Sequence, residues 1–144
     1  MVNKKNRDSF RFKPFESGNK EGRHLRITLN MMDSPAWKKL SSYAIHVYLL
    51  MKIKFTGTNE SDISLTYKEG MEHMTQRRFT EALDELIDYG FIIIVKHRQN
   101  TRECNVYGLS DQWQYYGTDR FKIDARPKKQ PDSTKVLGKK KDTS

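Results

Sequence analysis

The densest group of side chains able to do chemistry is Thr75, Gln76, Arg77, Arg78, Thr80 and Glu81, all within one short stretch. Arginine can bond guanine through two contacts, glutamine can do so with adenine, and glutamate can accept from the amino group of cytosine. Gln76, Arg77 and Thr80 suit base edges, and Arg78 suits a position nearer a phosphate. The same charges also suit a solvated helix face, with Arg77 or Arg78 paired to Glu81, Glu85 or another acid three or four residues along.

Two further groups have related chemistry. Lys96, His97, Arg98, Gln99, Asn100, Thr101 and Arg102 form a polar run, and phosphate contact needs only cationic or donor groups. Lys96, Arg98 and Arg102 are the candidates there, although a turn between strands is polar whatever its role. Thr66 and Lys68 stand at the start of another predicted helix, where backbone N–H groups point outward and can meet a phosphate.

Other chemistries find little support. His24, His46, His73 and His97 fall in different predicted elements without HExxH or similar ligand spacing, so each is read as structural or exposed rather than catalytic. The phosphate-binding patterns GxxxxGK[ST] and GxGxxG do not occur, and no serine sits in a GxSxG turn. Cys104 is the single cysteine; it has neither a disulfide partner nor a CxxC mate, which fits a reducing cytosol. No enzyme, cofactor or metal is expected. Tyr107, Trp113, Tyr115 and Tyr116 could stack on single-stranded bases, but packing of Tyr107 and Trp113 onto the core is the favoured reading. The stripe Met71, Met74, Phe79 and Leu83 is likewise read as core.

The elements that must position these residues follow from periodicity. His24 to Asn30 alternates, with Leu25, Ile27 and Leu29 on one side, and predicts an opening strand. Ser34 before Pro35 suits an N-cap followed by proline at the first helical position, and Ala36 to Leu40 makes a short helix. Ser41 or Ser42 can cap a helix from about Tyr43 to Phe55, apolar nearly all round and therefore central to the core. Gly57 to Asp62 is a loop, and Ile63 to Leu65 a short strand or bridge. Thr66 can cap a helix from Tyr67 to about His73 or Met74. Thr75 can cap another from Gln76 to Tyr89, whose Phe79, Ala82, Leu83, Leu86 and Ile87 form a full apolar stripe that Gly90 terminates. Phe91 to His97 and Asn105 to Leu109 predict a hairpin, and Asp111 to Tyr116 a last turn or short helix.

Charge divides unevenly along the 144 residues, whose formal net charge is +9. Residues 1 to 23 hold seven Lys and Arg against three Asp and Glu, and residues 117 to 144 hold nine against four. Residues 24 to 116 hold eleven of each. A neutral body with two basic ends implies one domain with arms, though such ends can also serve only solubility. The expected division is a flexible arm over 1–22, a domain over 23–121 and a flexible tail over 122–144. The longest apolar runs, Ala44 to Met51 and Phe91 to Val95, fall well short of the roughly 20 residues that cross a bilayer. No secretory signal is read at the start, so a soluble, cytoplasmic protein is expected.

The order strand, helix, helix, short strand, helix, tight turn, helix, glycine, hairpin is that of a winged helix-turn-helix, an α+β fold that is mostly helical with a small antiparallel wing. In such a pair the second helix enters the major groove with its N-terminal turns. The acidic far end of that helix, Asp84, Glu85 and Asp88, would favour insertion tip first.

The segments SPAWKKLSSYAIHVYLLM (34–51), LTYKEGMEHMTQRRFTEALDELIDYGFI (65–92) and YGLSDQW (107–113), with the trailing YYGTDRF (115–121), carry a resemblance. They resemble a family of winged-helix proteins of bacterial mobile elements such as plasmids, integrative conjugative elements and prophages, over about two thirds of the chain. The resemblance implies a DNA-binding fold with Thr66 to Tyr89 as the helix-turn-helix. Replication initiation, processing at a transfer origin and transcriptional control all occur among similar domains. The long basic C-terminus departs from that pattern. Double-stranded DNA is the expected partner, with no membrane; element-encoded proteins and a homodimer on DNA stay open. An accessory role in conjugative transfer or replication is favoured over a transcriptional regulator or a docking module without specific DNA recognition.

Overall fold

The computed structural model describes residues 23–98 and 104–124. The expected flexible arm at 1–22, the tail from residue 125, and Gln99 to Glu103 at the hairpin tip, with Arg102 among them, lie outside the described residues. The elements are helices α1 (Leu29–Asp33), α2 (Pro35–Lys38) and α3 (Ser42–Lys54), strand β1 (Ile63–Ser64), helices α4 (Tyr67–Met71) and α5 (Gln76–Asp88), strands β2 (Ile92–Lys96) and β3 (Val106–Leu109), and a 3₁₀ turn (Gln112–Tyr115). The fold is α+β, and its helices with one three-stranded antiparallel sheet, ordered β1-β3-β2, are compatible with a winged helix.

Polar side chains start nearly every helix. Ser34 Oγ accepts from Trp37 N at 3.2 Å and donates to Met31 O at 2.6 Å, so one buried hydroxyl ends α1 and begins α2. Ser41 Oγ accepts from Ala44 N, Thr66 Oγ1 from Glu69 N and Thr75 Oγ1 from Arg78 N. Each satisfies a backbone donor that the first helical turn leaves without a partner.

The core lies where α3 and α5 meet the sheet. Val47, Tyr48 and Met51 of α3 pack with Phe79, Leu83, Leu86 and Ile87 of α5, with Phe91 and Ile92 entering β2, and with Ile63 and Tyr107 of the sheet. Each such side chain contributes roughly 1.5–3 kcal/mol by leaving water. The α5 stripe is buried as its spacing predicts. Helix α3 is not buried all round: Ile53 is 54 % exposed, because only one flank of the helix finds α5 and β1. Met71 departs from its core expectation at 52 % exposed, since α4 ends there and its side chain leaves the packed face.

The strand expected over His24 to Asn30 is absent. Residues 24–28 form no ladder, and Leu29, 76 % exposed, begins α1 with Thr28 as its N-cap. The alternation is real as burial, for Leu25 and Ile27 are half-buried while His24 and Arg26 face outward. A strand needs an edge with which to exchange hydrogen bonds as well as alternating side chains. This segment is instead anchored by Arg23, whose guanidinium donates to Ile53 O at 2.7 Å and Phe55 O at 3.3 Å at the end of α3.

Helix α5 closes with a paired backbone motif: Gly90 N donates to Ile87 O at 3.1 Å and Phe91 N to Leu86 O at 2.9 Å, with Gly90 at φ +83°. The hairpin then pairs Ile92 with Leu109, Ile93 with Gly108 and Ile94 with Tyr107. Val95 is an extra residue that forms a bulge before Lys96 meets Val106.

At Gly90 a side chain is opposed twice. Its φ is in the left-handed region, and a Cβ would lie 2.7 Å from the backbone nitrogen of Trp113. Gly117 has the same φ but open space around it. Gly90→Ala is therefore expected to lose about 2–4 kcal/mol of stability and Gly117→Ala about 1 kcal/mol, measured by urea denaturation.

Candidate nucleic-acid interface

The face of α5 away from the core is built by helical spacing. Phe79, Ala82, Leu83 and Leu86 point inward, so Gln76, Arg77, Thr80 and Glu81 point out, and with Thr75 they line one open depression. This brings together the set read from the sequence for base edges. Arg78 departs from it around the helix: its guanidinium lies over the ring of Tyr43 in α3, 5.2 Å from the centroid. A cation over an aromatic face at this range is attracted to the ring quadrupole, which orients Arg78 beside the depression rather than in it.

Glu81 serves both arginines. Arg77 Nε donates to Glu81 Oε1 at 3.0 Å, and Arg78 Nη1 lies 3.5 Å from Glu81 Oε2. The Arg77 side chain is nonetheless 87 % exposed. An ion pair this exposed is held by little net energy, so the arginine can exchange Glu81 for another anion. The Thr80 hydroxyl donates to Gln76 O at 3.0 Å, so its oxygen can still accept a hydrogen bond.

The second helix is aimed by its contact with the first. The Phe79 ring lies against Gly70, where a Cβ would be 2.3 Å from Phe79 Cδ2, and Tyr67 meets the same ring edge-on at 5.7 Å. Only a residue without a side chain admits the ring there.

Thr66 is more committed than its sequence position implies. Its hydroxyl and backbone N–H both meet Glu69 in a reciprocal cap, and Glu69 also receives Lys54 Nζ at 2.5 Å while Lys54 donates to Ser64 O at 2.6 Å. The start of α4 therefore already holds a carboxylate. Lys68 is exposed beside it. Glu85, expected to add to the acidic far end of α5 or to pair with Arg77 or Arg78, instead accepts from Ser41 N at 3.3 Å and from the Ser41 hydroxyl, so it occupies the N-terminus of α3.

On the hairpin, Lys96 ends β2 exposed, and Arg98 is half-buried with its backbone N–H donating to Asn105 Oδ1 at 2.8 Å. The aromatic group near the end of the domain packs inward. Tyr107 is 4 % exposed, Trp113 stacks parallel to Phe91 with centroids 6.1 Å apart, and Tyr116 meets Tyr89 and Phe121 edge-on. Lys122, the first residue of the expected tail, is held by its N–H to Gln112 Oε1 at 3.0 Å.

Sequence reasoning missed Tyr43 as the support of Arg78, and it missed that His46 and His73 meet, with ring centroids 4.6 Å apart. Both pairs join separate elements, so no local spacing signals them. Among the described residues no helix is long and apolar enough to cross a membrane, and no three His, Cys, Asp or Glu side chains gather as a metal site. The chain matches no family model, no curated protein and no solved structure.

The hydrogen bond from Lys54, followed by the backbone N–H of Thr66, holds the Glu69 carboxyl below its ordinary range. A carboxyl whose folded pKa is lowered stabilises above its unfolded value and ceases to do so as pH falls through the folded one. Glu69→Gln is therefore expected to lower the urea midpoint at neutral pH and to flatten the decline between about pH 5 and pH 3. Equal slopes for the two proteins in that window would contradict the assignment.

Proposed function

We propose that this protein binds double-stranded DNA by placing the first turns of α5 in the major groove. The observation that supports the reading is the placement of exposed Gln76 and Arg77 with half-buried Thr80 on one face of the second helix of a tightly turned pair. Those groups have the donors and acceptors that read base edges. Arg78, braced on Tyr43, is assigned to a flanking phosphate, and so are Lys68, Lys96 and, outside the described residues, Arg102. Glu81 holds the arginines until phosphate or guanine replaces it, and can then accept from cytosine. The basic ends add contacts that depend on salt but not on sequence.

The resemblance to winged-helix proteins of bacterial mobile elements extends the proposal to a cytoplasmic accessory factor in conjugative transfer or replication, with transcriptional regulation as the neighbouring role. A reading from a different class is docking to another protein. It is favoured by Ile93 and Val95, 44 % and 41 % exposed on the hairpin beside Gly108.

The test is the double variant Arg77→Glu with Arg78→Glu in the full chain, titrated against a duplex of about 30 base pairs from the source element and a scrambled one, at several salt concentrations. DNA reading by α5 predicts a loss on the order of tenfold or more, a shallower salt slope and a diminished preference for the native duplex. Unchanged affinity in a variant with the wild-type circular dichroism spectrum would favour docking.

A further inference from the structure

His46 lies midway along α3, and His73 lies in the turn between α4 and α5. Their ring centroids are 4.6 Å apart and the ring planes are inclined by 56°. An ion held at about 2.0–2.1 Å by one nitrogen of each ring would lie about 3.1 Å from both centroids, and centroids 4.6 Å apart would subtend about 95° at it, closer to neighbouring positions of an octahedral or square-planar ion than to the tetrahedral angle.

Both rings are carried on ordered backbone. His46 stands between Ala44 and Val47, which are fully buried, and His73 is fixed by its N–H donating to Gly70 O at 3.1 Å and by the burial of Met74 after it. His46 is half-buried and His73 exposed, so the pair is open to solvent on one side. Neutral imidazole selects borderline ions such as zinc, nickel and copper over magnesium or calcium, which prefer oxygen. With no third His, Cys, Asp or Glu grouped there among the described residues, water would complete the coordination.

We propose that His46 and His73 form a two-histidine site for a divalent transition-metal ion, which ties the turn of the helix pair to α3. The proposal does not depend on DNA binding. The unfolded chain does not hold the two rings together, so the ion stabilises the folded state in proportion to its occupancy.

The full chain, freed of metal by chelation, is titrated with zinc and separately with nickel, with magnesium as the control. Saturable uptake of one nickel or zinc per chain and a melting temperature that rises with that ion but not with magnesium are expected. His46→Gln and His73→Gln should each weaken uptake roughly tenfold or more, whereas the double variant His24→Gln with His97→Gln should keep it. Melting without metal shows whether each variant folds. For any that does not, nickel broadening of the wild-type histidine ring resonances decides, with His46 and His73 affected first. Absence of saturable uptake, uptake that survives both His46→Gln and His73→Gln, or broadening centred elsewhere would overturn the proposal.

Discussion

The seating of the Phe79 ring on Gly70 is the contact on which the rest of the molecule depends. It sets how closely α5 approaches α4, and therefore which α5 residues remain outside. The ring also begins the apolar stripe that continues through Leu83 and Leu86 to Phe91, so the direction of the outer helix and the filling of the core are decided by one side chain. A methyl group at position 70 would have to displace the ring itself, and interiors packed at crystalline density yield poorly to such a shift.

The polar contacts repeat this economy. Glu69, Glu81 and Glu85 each bond more than one group, and Glu69 and Glu85 tie elements that are far apart in sequence. Glu69 joins the start of α4 to the end of α3, Glu85 joins α5 to the start of α3, and Glu81 gathers the two arginines. Two of these three acids hold the scaffold, and only Glu81 lies on the exposed face. Among the described residues no buried side-chain polar atom is left without a hydrogen bond. The outward face of α5 is thereby held by a frame whose own polar groups are already satisfied.

Elements whose information is local were legible in the sequence. The caps Ser34, Thr66 and Thr75, the stripe of α5 and the stop at Gly90 all depend on residues within a few positions of one another, and each stands where its spacing predicts, while of the two serines offered for α3 the cap is Ser41. Leu25 and Ile27 mark the boundary of such reasoning: period-two burial was visible, but whether a neighbouring strand would receive the segment depended on the whole sheet. The candidate site divides in the same way. Gln76, Arg77 and Thr80 share a face because a helix repeats every 3.6 residues, whereas the brace under Arg78 and the meeting of His46 with His73 arise from how α3 crosses the helix pair. Glu85 looked like one of several solvent acids because its partner, the start of α3, comes from a distant part of the chain.

The base of the hairpin is fastened independently of its tip. Ser110 N donates to Phe91 O at 2.9 Å, Trp113 N to Gly90 O at 3.0 Å and Leu109 N to Glu60 O at 2.7 Å, so both legs are clamped where they leave the body. Changes of length or composition between the two strands can thus alter what the hairpin presents without loosening α5. The same body can accept different tips, and its reach can diverge while its core stays constant.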